Sequence, residues 1–337
     1  MNIRDIARLA DVTPGTVSKV LNNYPDISEA TRQHVLKIIE ENQYDPKAKA
    51  RSARSGPESA RVGLVVEAVY NPLYSVLEDT LSRDIHNSGY DIVSFHDNFY
   101  IQDKTEKLCE LKAIAERDKW CGLVYIGGNF ERVRQEEFDS LPCPAIFVNT
   151  ALSCYTGSSS YSSVQVSHFE TAYSQMRYLI EKGHRSICTV ISSVIDDSVY
   201  GQRFSGYQAA LGRSRLESNL EHVLESDYQC EKAYQRLLAH LRLHPEITAV
   251  CSETDIIVPG ILRAIHDAGR TPGKDIEIIS FDGLESMEYC IPSVTTFAQP
   301  ARDMVRHIYY LLFALINKEQ QHQHVTFRPV FMKRESC

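Results

Sequence analysis

The sequence contains no stretch of about 18 uncharged apolar residues, the minimum for a membrane-crossing helix, so no membrane span is expected. Its opening MNIRDIARLADV carries acidic and basic side chains where a secretory leader needs an apolar run, and the expected compartment is therefore the cytoplasm. Nine cysteines, at 109, 121, 143, 154, 188, 230, 251, 290 and 337, are odd in number and scattered, with no C-x-x-C and no regular Cys/His spacing. That excludes a disulfide framework, speaks against a zinc site and leaves reduced core thiols. Catalytic signatures are missing as well: there is no G-x-G-x-x-G, no G-x-x-x-x-G-K-[ST], no G-x-S-x-G and no H-E-x-x-H. The twelve histidines show no ligand spacing, so no metal and no cofactor is expected. The acidic pairs Glu40-Glu41 and Asp196-Asp197 are sequence neighbours, which regular structure points apart instead of converging on a substrate.

What is present is a globular composition: 337 residues, 43% apolar and 24% charged, enough for about two to three domains with sizeable cores. The net charge of −8 conceals a division. Residues 1–61 hold ten Lys/Arg against eight Asp/Glu, and within them 47–61 holds Lys47, Lys49, Arg51, Arg54 and Arg61 against Glu58 alone, while the remaining 276 residues carry −10. A polyanion can be held only at the N-terminal end.

Helix signals crowd that end. Asn2 can cap a first helix with Ile3, Ile6, Ala7 and Ala10 on one face. Asp11 tolerates the left-handed backbone of a tight turn. Thr13 then caps a second helix with Pro14 at its first position, and Val17, Val20 and Leu21 face inward while Gly15, Ser18, Lys19 and Asn22 face out. A third helix runs from Ser28 to about Glu41 on Val35, Leu36, Ile38 and Ile39. This spacing is that of a helix-turn-helix, whose second helix enters the major groove of DNA; an ordinary helical hairpin is the alternative. Asp45-Pro46 repeats the cap-proline signature and opens a segment in which Lys47, Arg51 and Arg54 share one face beside Ala50 and Ala53. At about eight residues it is too short to be stable alone and is expected to order on phosphates and a second copy, or to stay a solvated basic linker.

From Arg61 onward strand-like apolar runs alternate with helical patterns: RVGLVVEAV, then 73–88; DIVSFH, then 103–118; CGLVYIGG, then 130–139; AIFVN; SICTVIS, then 203–213; ITAVCS, then 256–268; and IEIISF. The alternation predicts an α/β protein with two parallel, doubly wound sheets. The Ser-rich stretch 157–163 and the TTFAQP stretch 295–300 mark the expected crossings between two lobes.

Taken together, IRDIARLADVTPGTVSKVLNN, ISEATRQHVLKIIEENQYDP and the order of motifs down to RPVFMKRESC resemble the lactose-repressor/galactose-repressor (LacI/GalR) family over essentially the whole chain. The resemblance implies a headpiece at 1–45, a hinge helix at 46–60, and a two-lobed periplasmic-binding-protein-like core at 61–337, with one lobe at about 61–163 and 298–324 and the other at about 164–297 and 325–337. It implies phosphate contacts from Thr13, Thr16, Ser18, Asn22, Ser28, Thr31 and Tyr44, and base reading at Pro14, Gly15 and Lys19, of which only Lys19 has a donor. Where the family wedges a leucine into the minor groove this chain has Ala53, so a weaker bend is expected, held by Arg51 and Arg54.

In the core, loops at the carboxyl ends of strands are the ligand-binding places of open α/β sheets. There the resemblance implies Tyr74 in NPLY as a stacking platform, Arg203 in RFSG as a fork onto hydroxyls or a carboxylate, and Asp282 in SFDG as their acceptor, with Thr254, Asp255 and Gln299 as further contacts. Cys121, Ser167, Thr254 and Ser280 stand where the family usually has Asp, Asp, Asn and Gly, so polar anchors are expected to be lost and ligand identity does not carry over. His184 in GHRSI reads as structural. The expectation is a transcriptional regulator, a repressor, which binds double-stranded pseudo-palindromic operator DNA as a homodimer under the control of a small effector, a sugar or sugar phosphate. No heptad tail follows Arg334-Glu335-Ser336, which favours a dimer over a coiled-coil tetramer. A cytosolic sugar- or nucleotide-processing enzyme with an accessory helical domain is the alternative, and a plain exported sugar-binding protein fails on the missing leader and the DNA-reading head.

Overall fold

The computed structural model describes residues 3–21, 27–41, 60–67, 71–97, 103–152, 160–192, 199–216 and 220–337. At the N-terminal end, α1 (Ile3–Leu9), α2 (Pro14–Leu21) and α3 (Glu29–Glu41) form a small bundle. Its core is Ile6, Ala7, Ala10, Val17, Val20, Val35 and Ile38, all buried, with Val12, Ile27 and Ile39 at its margin. Asp11 takes φ 52 in the turn between α1 and α2, the left-handed conformation its short polar side chain tolerates. Thr13 Oγ1 accepts from the Thr16 amide at 3.1 Å, the cap expected from the sequence, and Ser28 Oγ accepts from the Thr31 amide at 3.2 Å, so both helices open on hydroxyl caps. Leu36, expected on the inward stripe, is 40% exposed, because the face that carries Val35 and Ile38 turns the intervening residues outward.

The core holds two six-stranded sheets. The first comprises β1 (Arg61–Glu67), β2 (Asp91–Asp97), β3 (Trp120–Ile126), β4 (Ala145–Val148), β5 (Ser162–Val166) and β11 (His324–Phe327), in the order β11-β5-β4-β3-β1-β2 and parallel throughout. The second comprises β6 (Ile187–Ile191), β7 (Val223–Glu225), β8 (Ala249–Ser252), β9 (Glu277–Asp282), β10 (Thr295–Ala298) and β12 (Val330–Met332), in the order β12-β10-β9-β8-β6-β7. Among the described strands only the β10–β12 pair is antiparallel, with Phe297 opposite Phe331. Central strands such as β4 are buried along their whole length, which is why they read as continuous apolar runs and not as alternation.

Helices cover both sheets: α4 (Pro72–Asn87), α5 (Lys104–Asp118), α6 (Gln135–Asp139), α7 (His168–Glu181), α8 (Val199–Arg213), α9 (Cys230–Leu243), α10 (Val258–Asp267) and α11 (Ala301–Ile316). Three short 3₁₀ turns, Leu220–His222, Asp255–Ile257 and Glu285–Glu288, lie between them. Asn71 caps α4 by accepting from the Leu73 amide at 3.0 Å, with Pro72 in the first turn where its missing N–H is harmless. Helix α11 follows β10 of the second sheet yet packs on the first, where Met304, Ile308, Leu311 and Leu312 join Val62, Leu64, Val124 and Ile146 in one cluster. Each of these side chains contributes roughly 1.5–3 kcal/mol by leaving water. Gly122 permits that packing: a Cβ there would meet Leu312 Cδ1 of α11 at 2.8 Å.

The chain crosses between sheets three times, and two of the expected crossings move. Strand β5 keeps Ser162–Val166 in the first sheet, so the passage lies at Ser167, past the expected 163/164 boundary. A Ser-rich run holds as a strand because its buried hydroxyls are paired, Ser162 Oγ with His322 Nδ1 at 3.0 Å and Ser163 Oγ with His324 Nδ1 at 2.9 Å. Likewise β11 extends the first sheet to Phe327, so the last crossing is Arg328-Pro329 and not 324/325. The helix expected at 130–139 shrinks to Gln135–Asp139, since Asn129 Oδ1 accepts from the Glu131 amide and folds a turn there.

Candidate functional site

With β2-β1-β3-β4-β5 in one sheet and β7-β6-β8-β9-β10 in the other, each sheet reverses winding beside its first strand, which leaves a crevice at the carboxyl ends. Asn71 follows β1, Asn149 follows β4, Glu253 to Asp255 follow β8, Asp282 ends β9 and Gln299 follows β10. These side chains meet.

Asp282 is their hub. Its Oδ1 accepts from Gln299 Nε2 at 2.8 Å, its Oδ2 from Thr254 Oγ1 at 2.7 Å and from Asn71 Nδ2 at 3.2 Å, and Arg203 Nη2 stands 3.6 Å away. Asn71 belongs to the first lobe and Thr254 and Arg203 to the second, so one buried carboxylate collects donors from both. Asp282 holds φ 116, a conformation costly for any residue with a Cβ, and the donors around it over-determine that geometry. Gln299 extends the bridge: its Oε1 accepts from Asn149 Nδ2 at 2.8 Å, while Asn149 Oδ1 accepts from the Val166 amide at 3.2 Å.

Arg203 is 1% exposed on α8, with its guanidinium 3.9 Å from the centre of the Phe281 ring. Nη1 donates to the Glu253 carbonyl at 2.6 Å and Nε to His168 Nδ1 at 3.3 Å. Burial first, and the Arg203 charge second, hold His168 well below the usual imidazole range, so it is neutral and accepts at Nδ1. Its Nε2 is buried with no hydrogen-bond partner among the described residues. The buried Glu253 carboxylate accepts from the Ser192 amide at 2.6 Å at the end of β6. Asp255 accepts from the Gly283 and Leu284 amides, both at 2.7 Å, and from Thr296 Oγ1 at 3.2 Å. Burial, followed by the charge of Asp282, pushes its carboxyl up to about 7. Neutral amides, hydroxyls, one fixed cation and acceptors in fixed positions can exchange paired donors and acceptors with hydroxyl groups.

In the headpiece, Thr13, Pro14, Gly15, Lys19 and Ser28 are exposed and Thr16 and Thr31 half-buried. The hydroxyls stand in pairs, Thr13 with Thr16 at 2.9 Å and Ser28 with Thr31 at 2.7 Å, at the N-termini of α2 and α3 where backbone amides already favour an anion. Ser18 is a residue of α2. Asn22, Tyr44, Lys47, Arg51, Ala53 and Arg54, and with them the hinge helix expected at 46–60, lie outside the described residues.

Comparison with known proteins matches residues 2–47 to the family described as bacterial regulatory proteins, lacI family, and residues 176–337 to a periplasmic binding protein-like domain. The HTH-type transcriptional regulator MalR of Clostridium butyricum is 31% identical over 337 residues, covering 100% of this chain and 99% of that protein. The chain belongs to the LacI family. Catabolite control protein A of Priestia megaterium is 27% identical over 95% of this chain and 93% of its own length. Two solved structures share the fold: the transcriptional regulator CelR–cellobiose complex, with TM-score 0.69 and 22% identity over 100% of both chains, and the lac repressor dimer bound to operator and the anti-inducer ONPF, with TM-score 0.69 and 20% identity over 100% of this chain and 98% of that one. This LacI-family chain is thus a DNA-binding transcriptional regulator and not an enzyme, and among the described residues no helix is long and apolar enough to cross a membrane.

Of the effector residues expected in this family, the structure brings Arg203, Thr254, Asp282 and Gln299 together, with Asp255 adjoining through Gly283. Tyr74 is 2% exposed within the apolar cluster of Leu73 and Leu77, with its ring beside Gly127, so it does not present the open stacking face expected of it. Thr254, expected as a lost anchor, keeps a donor on Asp282. Cys121 instead donates to the Arg61 carbonyl at 3.2 Å, its thiol pushed up to about 11 by burial. His184 bonds Thr248 at 2.8 Å and Glu277 at 3.0 Å, a structural role. Sequence reasoning missed Asn149, His168 and Glu253. Asn149 and Glu253 follow apolar strands directly, so the strand-end rule applied to every strand finds them; His168 has no such signal. The reading of the histidines as lacking ligand spacing also needs correction, because His240 and His244 are one turn apart at the end of α9, beside His222. That helix opens at Gln229 without a side-chain cap, which hides it from a search for cap residues.

Proposed function

We propose that this regulator is a cytoplasmic, homodimeric repressor of a pseudo-palindromic operator, whose affinity for DNA is set by a small polyhydroxylated metabolite bound between the lobes. In this reading residues 1–45 are the DNA-binding headpiece, 46–60 the hinge and 61–337 the effector and dimerisation core. Thr13, Thr16, Ser18, Asn22, Ser28, Thr31 and Tyr44 bind phosphates, Pro14, Gly15 and Lys19 face the bases, and Lys47, Arg51, Ala53 and Arg54 lie along the minor groove. Arg203, Asp282, Thr254, Asp255 and Gln299 hold the effector, joined by Asn71, Asn149 and His168, and Tyr74 forms the wall beside Gly127. The observation that carries this is the Asp282 carboxylate, which takes hydrogen bonds from both lobes at once.

A ligand hydroxyl that displaces the Asn71 amide exchanges a direct bond between lobes for a bridged one. That alters lobe closure and, through the hinge, the spacing of the two headpieces; effector and operator affinities are then reciprocally linked. The bound ligands of fold neighbours, cellobiose, ribose and glucose, support a sugar.

Thermal-shift screening against sugars, sugar phosphates and nucleobases tests the ligand class, since a ligand at 100 times its Kd stabilises the fold by about 2.7 kcal/mol. Operator retardation with and without each hit follows. Arg203→Ala, with Arg203→Lys to guard against a folding defect, should abolish the response and leave operator binding in place. An Arg203→Ala protein that responds like the wild type overturns the pocket, and a monomer by sedimentation overturns the dimer.

A further inference from the structure

We propose that His222, His240 and His244 form a binding site for a divalent transition-metal ion, of the kind zinc exemplifies, on the second lobe and away from the effector residues. His222 closes the 3₁₀ turn before the edge strand β7, while His240 lies in the last turn of α9 and His244 is its C-terminal cap residue. The spacing of four puts the last two on one helix face, where their ring centres are 4.2 Å apart; the His222 ring is 5.2 Å from the first and 5.1 Å from the second.

One nitrogen from each ring lies within 4.8 Å of the others, and His222 Nδ1 and His240 Nε2 are 3.0 Å apart. A tetrahedral ion with metal–nitrogen bonds of about 2.0–2.1 Å holds its ligand atoms about 3.3 Å apart. Small side-chain rotations therefore complete the set, with no movement of the backbone.

The surroundings supply what a metal-bound imidazole needs. His244 Nδ1 is 3.0 Å from Glu246 Oε1, an orienting carboxylate that holds the proton on Nδ1 and leaves the Nε2 lone pair for the ion. Burial and the neighbouring rings keep His240 and His222 below the ordinary imidazole range, so both are neutral ligands at neutral pH. The carboxyl end of a 14-residue helix and the carboxylates Glu221 and Glu246 favour added positive charge there. Three imidazoles leave a fourth position to water or an anion, and this donor set suits zinc, nickel, copper(II) or cobalt over magnesium or calcium. Bound metal would pin the turn ahead of β7 to the end of α9.

The test uses the full-length protein stripped with EDTA and titrated with zinc by calorimetry and with cobalt by absorption. About one ion per chain is expected, with a cobalt spectrum of nitrogen/oxygen tetrahedral type that lacks a thiolate charge-transfer band, and a raised Tm in zinc. His240→Gln with His244→Gln, and separately the half-buried His222→Gln, should weaken binding at least 100-fold with circular dichroism and operator retardation unchanged. Glu246→Gln should weaken it about 10-fold. Equal binding by wild type and the histidine variants, a thiolate-type cobalt spectrum, or no zinc uptake by the wild type overturns the site.

Discussion

In the headpiece the four described hydroxyls proposed for DNA are exposed or half-buried and pair over three residues, Thr13 with Thr16 and Ser28 with Thr31, whereas in the cleft polar groups are buried and pair over as many as 211, as Asn71 with Asp282. Hydroxyls in solvent are already hydrated, so deleting one costs the fold little and the complex with DNA more. A buried carboxylate with several donors is the reverse: the donors lose a buried acceptor when it goes, and the cost falls on the fold. The two regions therefore separate under perturbation.

The largest effect is expected from Asp282→Ala, which removes the acceptor of the buried Asn71 and Gln299 amides and the carboxylate that faces Arg203. A loss of roughly 3–5 kcal/mol in the core's unfolding free energy, read from denaturant titration, should follow, with the headpiece helices retained in circular dichroism. If that loss were absent, the contrast between the regions would fail. Salt acts in the opposite place: between 50 and 200 mM, operator affinity should drop on the order of a thousandfold if about six phosphates are neutralised, while effector affinity barely moves. Lys19→Ala should cost about 1–3 kcal/mol on the cognate site and relax base preference there, measured by retardation on single-base operator variants.

The smallest effect sharpens the cleft alone. Asp255 has its folded carboxyl raised to about 7 against an ordinary 3.8, so its contribution to stability is complete below the lower value and is lost as pH rises through the higher one. Core stability should then decline by about 1 kcal/mol per pH unit between about 4 and 7 and level off above 7, a slope that Asp255→Asn removes.

Legibility follows the same division. Caps at Thr13 and Ser28, the turn at Asp11 and the stripe of Val17 and Val20 are local, and each was readable from neighbours within four residues. Strand runs were readable because burial on both faces leaves them uniformly apolar. The limits of β5 and β11 were not, since Ser162 and Ser163 look like loop residues until His322 and His324 supply their partners. In the cleft, the strand-end rule marked the loops and the family resemblance named Asp282, Thr254 and Gln299 but not their mutual bonds, and the resemblance gave Tyr74 an open face that its burial in the apolar cluster with Leu77, beside Gly127, denies it.

Sequence by itself determined the helix-turn-helix and the alternation that builds two parallel sheets, because capping, periodicity and backbone sterics act over a few residues, and its family resemblance named the candidates along their carboxyl edges. Only the tertiary structure decided that Asp282 is shared by both lobes and that His222 meets His240 and His244, because hydrogen bonds and ligand sets form wherever packing brings atoms within about 3 Å, whatever their separation along the chain.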